Sequence, residues 1–356
     1  MSDRPSGPGP AGQGNGTVLV CGGAGYIGSH VVRVLLEAGQ TPLVVDDLST
    51  GHRDSLPEGV ELIVASVGDR AALGDVFASH DVAAVMHFCA NAYVGESVEN
   101  PRKYYRNNLA NGLTLLEAML DAGVRRLVFS SSCTVYGHPE RVPLDESCRI
   151  GPISPYGQTK AMFEQILRDF GAAHGLRSVA LRYFNACGAM PDGSVGEDHD
   201  PETHLIPLVL LQALHAAHPE ACRGRPRPSL RVFGDDYETP DGTCVRDYIH
   251  VLDLGGAHRL ALDYLLAGGE STAVNLANGT GFSVREIIDA CQRVTGVEIP
   301  FEIAPRRPGD PPSLVGDAAR AAGVLGWRPE YTDIHRIIET AWKWHSSHPV
   351  GFSDPR

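Results

Sequence analysis

Between residues 17 and 39 the chain passes from an apolar run, Thr17 to Cys21 (TVLVC), through glycines at 22, 25 and 28 into a helical stretch, Ser29 to Ala38, closed by Gly39. A short β-branched run without polar interruption is what a parallel strand buried on both faces requires. Glycines at those spacings permit a tight turn, a close approach of backbone to a pyrophosphate, and close packing of helix on strand. A helix that begins there also offers unpaired N–H groups to phosphate. Gly22, Gly25 and Gly28, with Tyr26 and Ile27 among them, are therefore expected to hold a dinucleotide. A second strand, Pro42 to Val45, ends in Asp46, 18 positions past Gly28. A carboxylate at that place accepts from both adenosine ribose hydroxyls and repels a 2′-phosphate, so NAD is favoured over NADP. Asp47 is either the ribose ligand itself or a second contact.

Strand and helix signals go on alternating. Val60 to Ala65 reads as a strand, Arg70 to Ser79 as a helix, and Val82 to Phe88 as a buried strand ending in the small residues Cys89 and Ala90. Lys103 to Ala122 reads as one long helix carrying Asn107, Asn108 and Asn111, which either bond to neighbouring backbone or face the cofactor. Arg126 to Ser131 is the next strand and delivers Ser130 and Ser132 at its carboxyl end, the side on which ligands lie in open α/β sheets. The expected fold class is α/β, a Rossmann-like doubly wound parallel sheet.

A chain of 356 residues can hold one large α/β body or two domains. Its formal charge of −13 argues against nucleic acid or an anionic membrane as the main partner. Eight scattered cysteines without a Cys-x-x-Cys fit a reducing cytoplasm. Residues 1–16, rich in Gly and Pro, are expected to be a disordered tail, and no apolar run is long enough to span a bilayer.

Chemistry concentrates in Ser154-Pro155-Tyr156-Gly157-Gln158-Thr159-Lys160. On a helix, a spacing of four puts the Tyr156 phenol and the Lys160 ammonium on one face. Together with a hydroxyl, Ser132, at a strand end, the pair outlines a proton-transfer site.

At this point the chain resembles the extended short-chain dehydrogenase/reductase (NAD-dependent epimerase/dehydratase) family. The resemblance is carried by GGAGYIGSH (22–30), VGESVENP (94–101), FSSSCTVYG (129–137), SPYGQTK (154–160), LRYFNACGA (181–189), GDDYETPDGTCVRDYIHVLDL (234–254) and APRRPGD (304–310). It implies a bound NAD, a nucleotide-sugar substrate, a homodimer, and a smaller α/β C-terminal domain for the UDP. Residues 17–190 would form the NAD-binding domain and 191–356 the UDP-sugar domain, with part of 240–285 returning to the first. Around NAD it places Ser66, Val67, Phe88, Cys89, Ala90, Asn107, Ser130, Tyr156, Lys160 and Tyr183, besides the glycine loop and Asp46 or Asp47. Around the UDP-sugar it places Ser132, Tyr156, Asn185, His204, Leu205, Arg231, Phe233, Arg246, Arg307, Asp310 and Leu314. Phe233 could stack on uracil or simply pack in the core. Arg246 and Arg307 suit phosphate, and Asp310 a ribose hydroxyl.

The implied reaction is 4-epimerisation of a UDP-hexose of the glucose/galactose type. Tyr156 takes the proton of the sugar 4-hydroxyl through Ser132 while hydride leaves C4 for nicotinamide. Free tyrosine titrates near 10, and an ammonium about 6.5 Å away at an effective dielectric of about 20 supplies roughly 2.5 kcal/mol, nearly two pKa units downward. Cationic nicotinamide would add to that lowering.

Several positions depart from the family pattern. Ser66 replaces an Asp at adenine, Ala92 a Lys near the cofactor phosphates, and His204-Leu205 the commoner Asn-Leu. Leu314 replaces a Tyr that in some members restricts 2-substituents, so N-acetylhexosamine substrates stay open, and C6 recognition has no clear signature, so uronate and pentose substrates do too. Residues 216–229 are expected to be a surface insertion. A dehydratase would need Thr-Asp-Glu where this chain has Ser132-Cys133-Thr134, which disfavours elimination; a decarboxylase is less well separated. A non-enzymatic NAD sensor would be expected to lack Ser132, Tyr156 or Lys160, all of which are present. His199 and His204 have metal-ligand spacing, but with no cysteine or third ligand nearby no metal is expected.

Overall fold

The computed structural model describes residues 16–307 and 309–353. The expected disordered tail therefore lies, apart from Gly16, outside the described residues. The first half alternates β1 (Thr17–Cys21), α1 (Tyr26–Glu37), β2 (Pro42–Asp46), β3 (Glu61–Val64), α2 (Arg70–Ser79) and β4 (Val82–His87). Then come α3 (Val94–Glu99), α4 (Pro101–Tyr104), α5 (Gly112–Asp121), β5 (Arg126–Ser132), α6 (Pro155–His174), β6 (Arg177–Tyr183) and β7 (Asn185–Cys187). The second half holds α7 (Leu205–Ala217), β8 (Arg231–Phe233), β9 (Val245–His250), α8 (Val251–Leu266), β10 (Thr272–Leu276), β11 (Gly281–Ser283) and α9 (Val284–Thr295). It ends with β12 (Glu302–Ala304), β13 (Ser313–Leu314), α10 (Ala319–Leu325) and α11 (Ile334–Ser347).

Seven parallel strands form one sheet in the order β10-β6-β5-β4-β1-β2-β3. Strand order reverses between β1 and β4, which opens a crevice at their carboxyl ends. Helices cover both faces, as continuous apolar strands demand. On one, Val31, Val32 and Leu35 of α1 meet Leu254, Leu262 and Leu265 of α8 over the sheet. On the other, Leu115 and Met119 of α5 and Phe163 of α6 pack over Leu19, Val85 and Leu127. A third core joins α7, α9 and α11 through Val209, Ile288 and Ile338. Beside it lie a small sheet of β11, β9, β13 and β7 and the β8–β12 pair.

Two elements differ from the sequence reading. α1 starts at Tyr26, not Ser29, because Gly25 already serves as its N-cap. The helix expected over 103–122 is interrupted by a π-helical segment, Tyr105–Asn111. Within it the buried Asn108 turns to the neighbouring chain: it accepts from Asn91 N at 2.9 Å and donates to Asn91 O at 3.0 Å and Thr159 Oγ1 at 3.1 Å. That is the backbone-bonding alternative, realised by Asn108. Residues 218–230 hold no helix or strand, and the loop is pinned locally by Arg225 to Asp198 (3.0 Å) and Arg227 to Gln212 (2.6 Å). No helix among the described residues is long and apolar enough to cross a membrane.

Candidate active site

The glycine loop runs from β1 into α1. Gly22 has φ +81°, and a Cβ there would lie 2.8 Å from Cys89 N. A Cβ on Gly28 would come within 2.1 Å of Gly22 O. Both glycines are thus fixed by the protein's own backbone. Gly25 differs, since its Cβ would meet only Gly22 O at 3.5 Å. The fold leaves space over Gly25 and unpaired helix N–H groups beneath it, which fits a dinucleotide pyrophosphate. Tyr26 and Ile27 open α1, and the Tyr26 hydroxyl donates to Gly188 O at 2.7 Å. Asp46 closes β2 with one oxygen accepting from Ala24 N and the other from Leu48 N, both at 2.9 Å. Each oxygen keeps a lone pair, so the carboxylate can still accept a ribose hydroxyl. Burial raises its pKa against those two bonds. Asp47 is exposed and accepts from Ser49 N at 3.0 Å. Ser66 and Val67 follow β3, Phe88, Cys89 and Ala90 follow β4, and half-buried Asn107 donates to Asn108 Oδ1 at 3.1 Å.

Ser154 caps α6, accepting from Gly157 N at 3.2 Å, and Pro155 takes the first helical position, where its missing N–H costs nothing. That start places Tyr156 and Lys160 on the buried face of α6, against the ends of β5 and β6. The Lys160 ammonium donates to Ser130 O at 2.7 Å and sits 4.9 Å over the Phe129 ring and 5.8 Å from the Tyr156 ring centre. Ser132, the last residue of β5, interacts with the Tyr156 phenol, and its Oγ accepts from Thr134 Oγ1 at 3.0 Å. The Tyr183 phenol, from β6, hydrogen-bonds Ser130 Oγ.

The electrostatics correct the expected lowering of Tyr156. Burial raises its phenol well above the ordinary value, nearby Tyr183 adds to the rise, and only the Ser132 side chain pulls it down. Burial also lowers Lys160 to about 7, against the pull of Cys89 and Glu164. Coulomb attraction taken alone omitted the cost of desolvating both groups, which is larger.

The second group of predicted residues lies on the small sheets. Leu314 of β13 pairs in register with Arg246 of β9 and packs into the cluster of Cys133 and Phe184, next to Ser132. Arg246 donates to Asp310 Oδ1 at 2.5 Å, so these two residues face each other directly. The half-buried Phe233 ring lies 3.9 Å from the Arg307 guanidinium and 5.6 Å from that of Arg231. It lies outside the third core, whose neighbouring member is Val232. Asn185 donates to Asp247 O at 2.9 Å, tying β7 to β9. His204 caps α7 ahead of Leu205. The premise that His199 and His204 lack further ligands nearby is corrected: the loop closes on itself and brings Glu197 and Glu202 to them.

Residues 18–277 match the model of the NAD dependent epimerase/dehydratase family. The chain belongs to this family. A UDP-glucose 4-epimerase of Rhizobium meliloti (strain 1021) is 51% identical over 339 residues, 95% of this chain and 99% of that one. The crystal structure of UDP-glucose 4-epimerase from Brucella ovis in complex with NAD superposes with a TM-score of 0.87 at 48% identity, covering 93% of this chain and 98% of that one. That of Bifidobacterium longum in complex with NAD+ and UDP gives 0.87 at 38% identity, covering 94% and 100%.

In this epimerase/dehydratase chain one feature of the site had no place in the sequence reading. Glu164, one turn beyond Lys160, accepts from Ser131 Oγ at 2.6 Å and from Arg182 Nε at 2.9 Å and Nη2 at 2.5 Å. Arg182 also donates to the Tyr136 hydroxyl, which bonds Asn275 Oδ1 at 2.7 Å. This buried network locks α6 to the sheet and so fixes the height of Tyr156 and Lys160 above it. The four-residue step from Lys160 to Glu164 was its one sequence signal.

Proposed function

We propose that this chain interconverts the C4 epimers of a UDP-hexose, UDP-glucose and UDP-galactose, with NAD as a resident cofactor. The observation that carries this reading is the buried meeting of Ser132, Tyr156 and Lys160 at one sheet edge, with Cys133 and Thr134 beside Ser132 in place of carboxylates. NAD would be held by Gly22, Gly25 and Gly28, by Asp46 or Asp47, and by Lys160. When bound, it supplies a hydride acceptor and donor for C4 together with a positive charge at its nicotinamide. Tyr156 takes the 4-hydroxyl proton through Ser132 and returns it to the same oxygen, so the protein ends each turnover in its starting protonation state. Lys160, braced on the Ser130 carbonyl, holds its charge near the phenol oxygen in the charged form.

A 4-keto sugar must turn over before it is reduced on its other face, which asks for a loosely held sugar and a firmly held nucleotide. We assign uracil to Phe233, whose ring has the guanidinium groups of Arg231 and Arg307 over it. Arg246, already polarised by Asp310, faces the diphosphate, and Asn185, His204 and Leu205 line its approach. We assign residues 17–190 to the NAD-binding part and 191–356 to the UDP-sugar part, apart from α8, which packs over the large sheet, and β10, which pairs with β6 in it. We also read the chain as a cytoplasmic homodimer: its eight cysteines are free, and Val98, Tyr105 and Met162 are exposed beside α6.

Incubation with UDP-glucose, UDP-N-acetylglucosamine, UDP-glucuronate or UDP-xylose, without added cofactor, tests the substrate. Conversion of UDP-glucose to UDP-galactose is expected, and conversion of none of the four removes the reading. UDP-N-acetylglucosamine stands second because Leu314, smaller than tyrosine, packs next to Cys133.

A further inference from the structure

The loop that leads into α7 gathers Glu197, His199, Glu202 and His204 so that one ligand atom from each lies within 4.8 Å of all the others. His204 Nδ1 is 2.7 Å and His199 Nδ1 3.1 Å from Glu197 Oε1. The same two nitrogens stand 3.3 Å from Glu202 Oε1 and 3.6 Å from Glu202 Oε2. Four ligands at zinc-type bond lengths of about 2.0–2.1 Å in a tetrahedron stand about 3.3 Å apart, which is the scale of these separations.

Proximity alone would also describe two ion pairs, but the directions do not favour that. His199 Nδ1, His204 Nδ1 and Glu202 Oε2 make no directed hydrogen bond, although the Glu202 side chain is only 5% exposed. Its other oxygen is held by Thr203 N at 2.7 Å and His204 N at 2.8 Å, which leaves Oε2 aimed into the cluster. Backbone N–H groups that orient a carboxylate in this way are the usual outer support of a metal ligand. The His199 ring is set by edge contacts with Tyr26 and Tyr93, each at 6.2 Å between centres. His204, 42% exposed, leaves an entry path.

We propose that Glu197, His199, Glu202 and His204 bind one divalent transition-metal ion of the zinc class. Two carboxylates and two neutral imidazoles carry the charge that a dication cancels, so the buried group becomes neutral. Mixed imidazole and carboxylate ligands suit zinc and its late first-row neighbours; magnesium and calcium prefer oxygen alone. The ion would be structural: it ties the 197–204 loop to the start of α7 beside Tyr26 of the glycine loop.

The full-length protein, stripped with a chelator, is titrated with cobalt(II) and followed in the visible, and with zinc by calorimetry. One equivalent is expected, with the intense visible bands of four-coordinate nitrogen and oxygen ligation. His199→Gln and Glu202→Gln, checked for wild-type melting and retained NAD, are expected to weaken uptake at least about tenfold, the scale on which ligand support is felt. No saturable uptake overturns the proposal and leaves a protonated ion-pair cluster. Uptake with thiolate charge-transfer bands, or equal uptake in both variants, also overturns it by placing the ion elsewhere. The wild-type spectrum decides even if a variant fails to fold.

Discussion

Replacing Glu164 by leucine is expected to cost about 4 kcal/mol of stability, because it strands the Arg182 guanidinium in the interior. The arginine side chain is 6% exposed and the glutamate 4%, so water cannot take the carboxylate's place. Three hydrogen bonds end on that carboxylate, two from Arg182 and one from Ser131, and the charged ones are the stronger. Against a total stability of about 5–15 kcal/mol, the loss is large enough to read directly. Urea unfolding followed by tryptophan fluorescence suits it, since Trp327 and Trp344 are both buried. The double variant Glu164→Leu/Arg182→Met removes both charges and should recover most of the loss, since a buried pair replaced by apolar groups is often close to neutral. A single-variant cost below about 1 kcal/mol, or a double variant as unstable as the two singles added, would refute the view that the pair matters through its desolvated charge.

Tyr156→Phe should lower turnover by orders of magnitude, at least about 1000-fold, while UDP binding measured by calorimetry stays within a few-fold; unchanged turnover sinks the proton-transfer assignment. Gly25→Ala should leave the melting temperature nearly unchanged but reduce the NAD retained through gel filtration, whereas Gly28→Ala, with a Cβ 2.1 Å from Gly22 O, should lose both. Equal behaviour of the two variants would show that the space over Gly25 is not the cofactor's. Leu314→Tyr should depress any conversion of UDP-N-acetylglucosamine more than that of UDP-glucose, and an equal effect on both would remove Leu314 as the gate. Stability should fall below pH 6.5. Burial lowers His87 and His250 to about 3 and His30, His258 and His345 to about 4. Depressed folded values mean stability that is present above the unfolded pKa and lost as pH falls towards them. At pH 5.5 each such group costs up to about 1.4 kcal/mol, offset in part by Asp247, which burial raises to about 6 and which therefore gains stability as pH falls. A melting temperature flat from pH 7 to 5.5 would contradict this.

Local rules made much of the fold legible. Apolar run length marked β1 and β4, glycine spacing marked the turn into α1, and the stretch Ser154 to Lys160 was placed on a helix, now α6. What escaped depends on which distant segments meet. Asn107 and Asn108 are indistinguishable in sequence, and the π-helical turn decides that Asn108 reaches Asn91. Arg246 and Asp310 read as two separate ligands, yet the fold brings them, 64 positions apart, to 2.5 Å. Glu197 and Glu202 are ordinary acidic loop residues until the loop closes around His199 and His204.

The proposed proton-transfer pair, Tyr156 and Lys160, belongs to that second kind. Their spacing is local, but their titration is set by burial, which moves the phenol up and the ammonium down to about 7. Moving apart from their free values in these directions brings the two groups towards a neutral pair, Tyr–OH beside Lys–NH2, at the pH where the chain would work. A neutral pair is a poor base. A positive charge next to the phenol would lower Tyr156 and so oppose the effect of burial there, while it would lower Lys160 further. On the roles proposed for Tyr156 and Lys160, proton transfer would then depend on an occupied cofactor site, where the nicotinamide charge would bring the phenol towards a usable base.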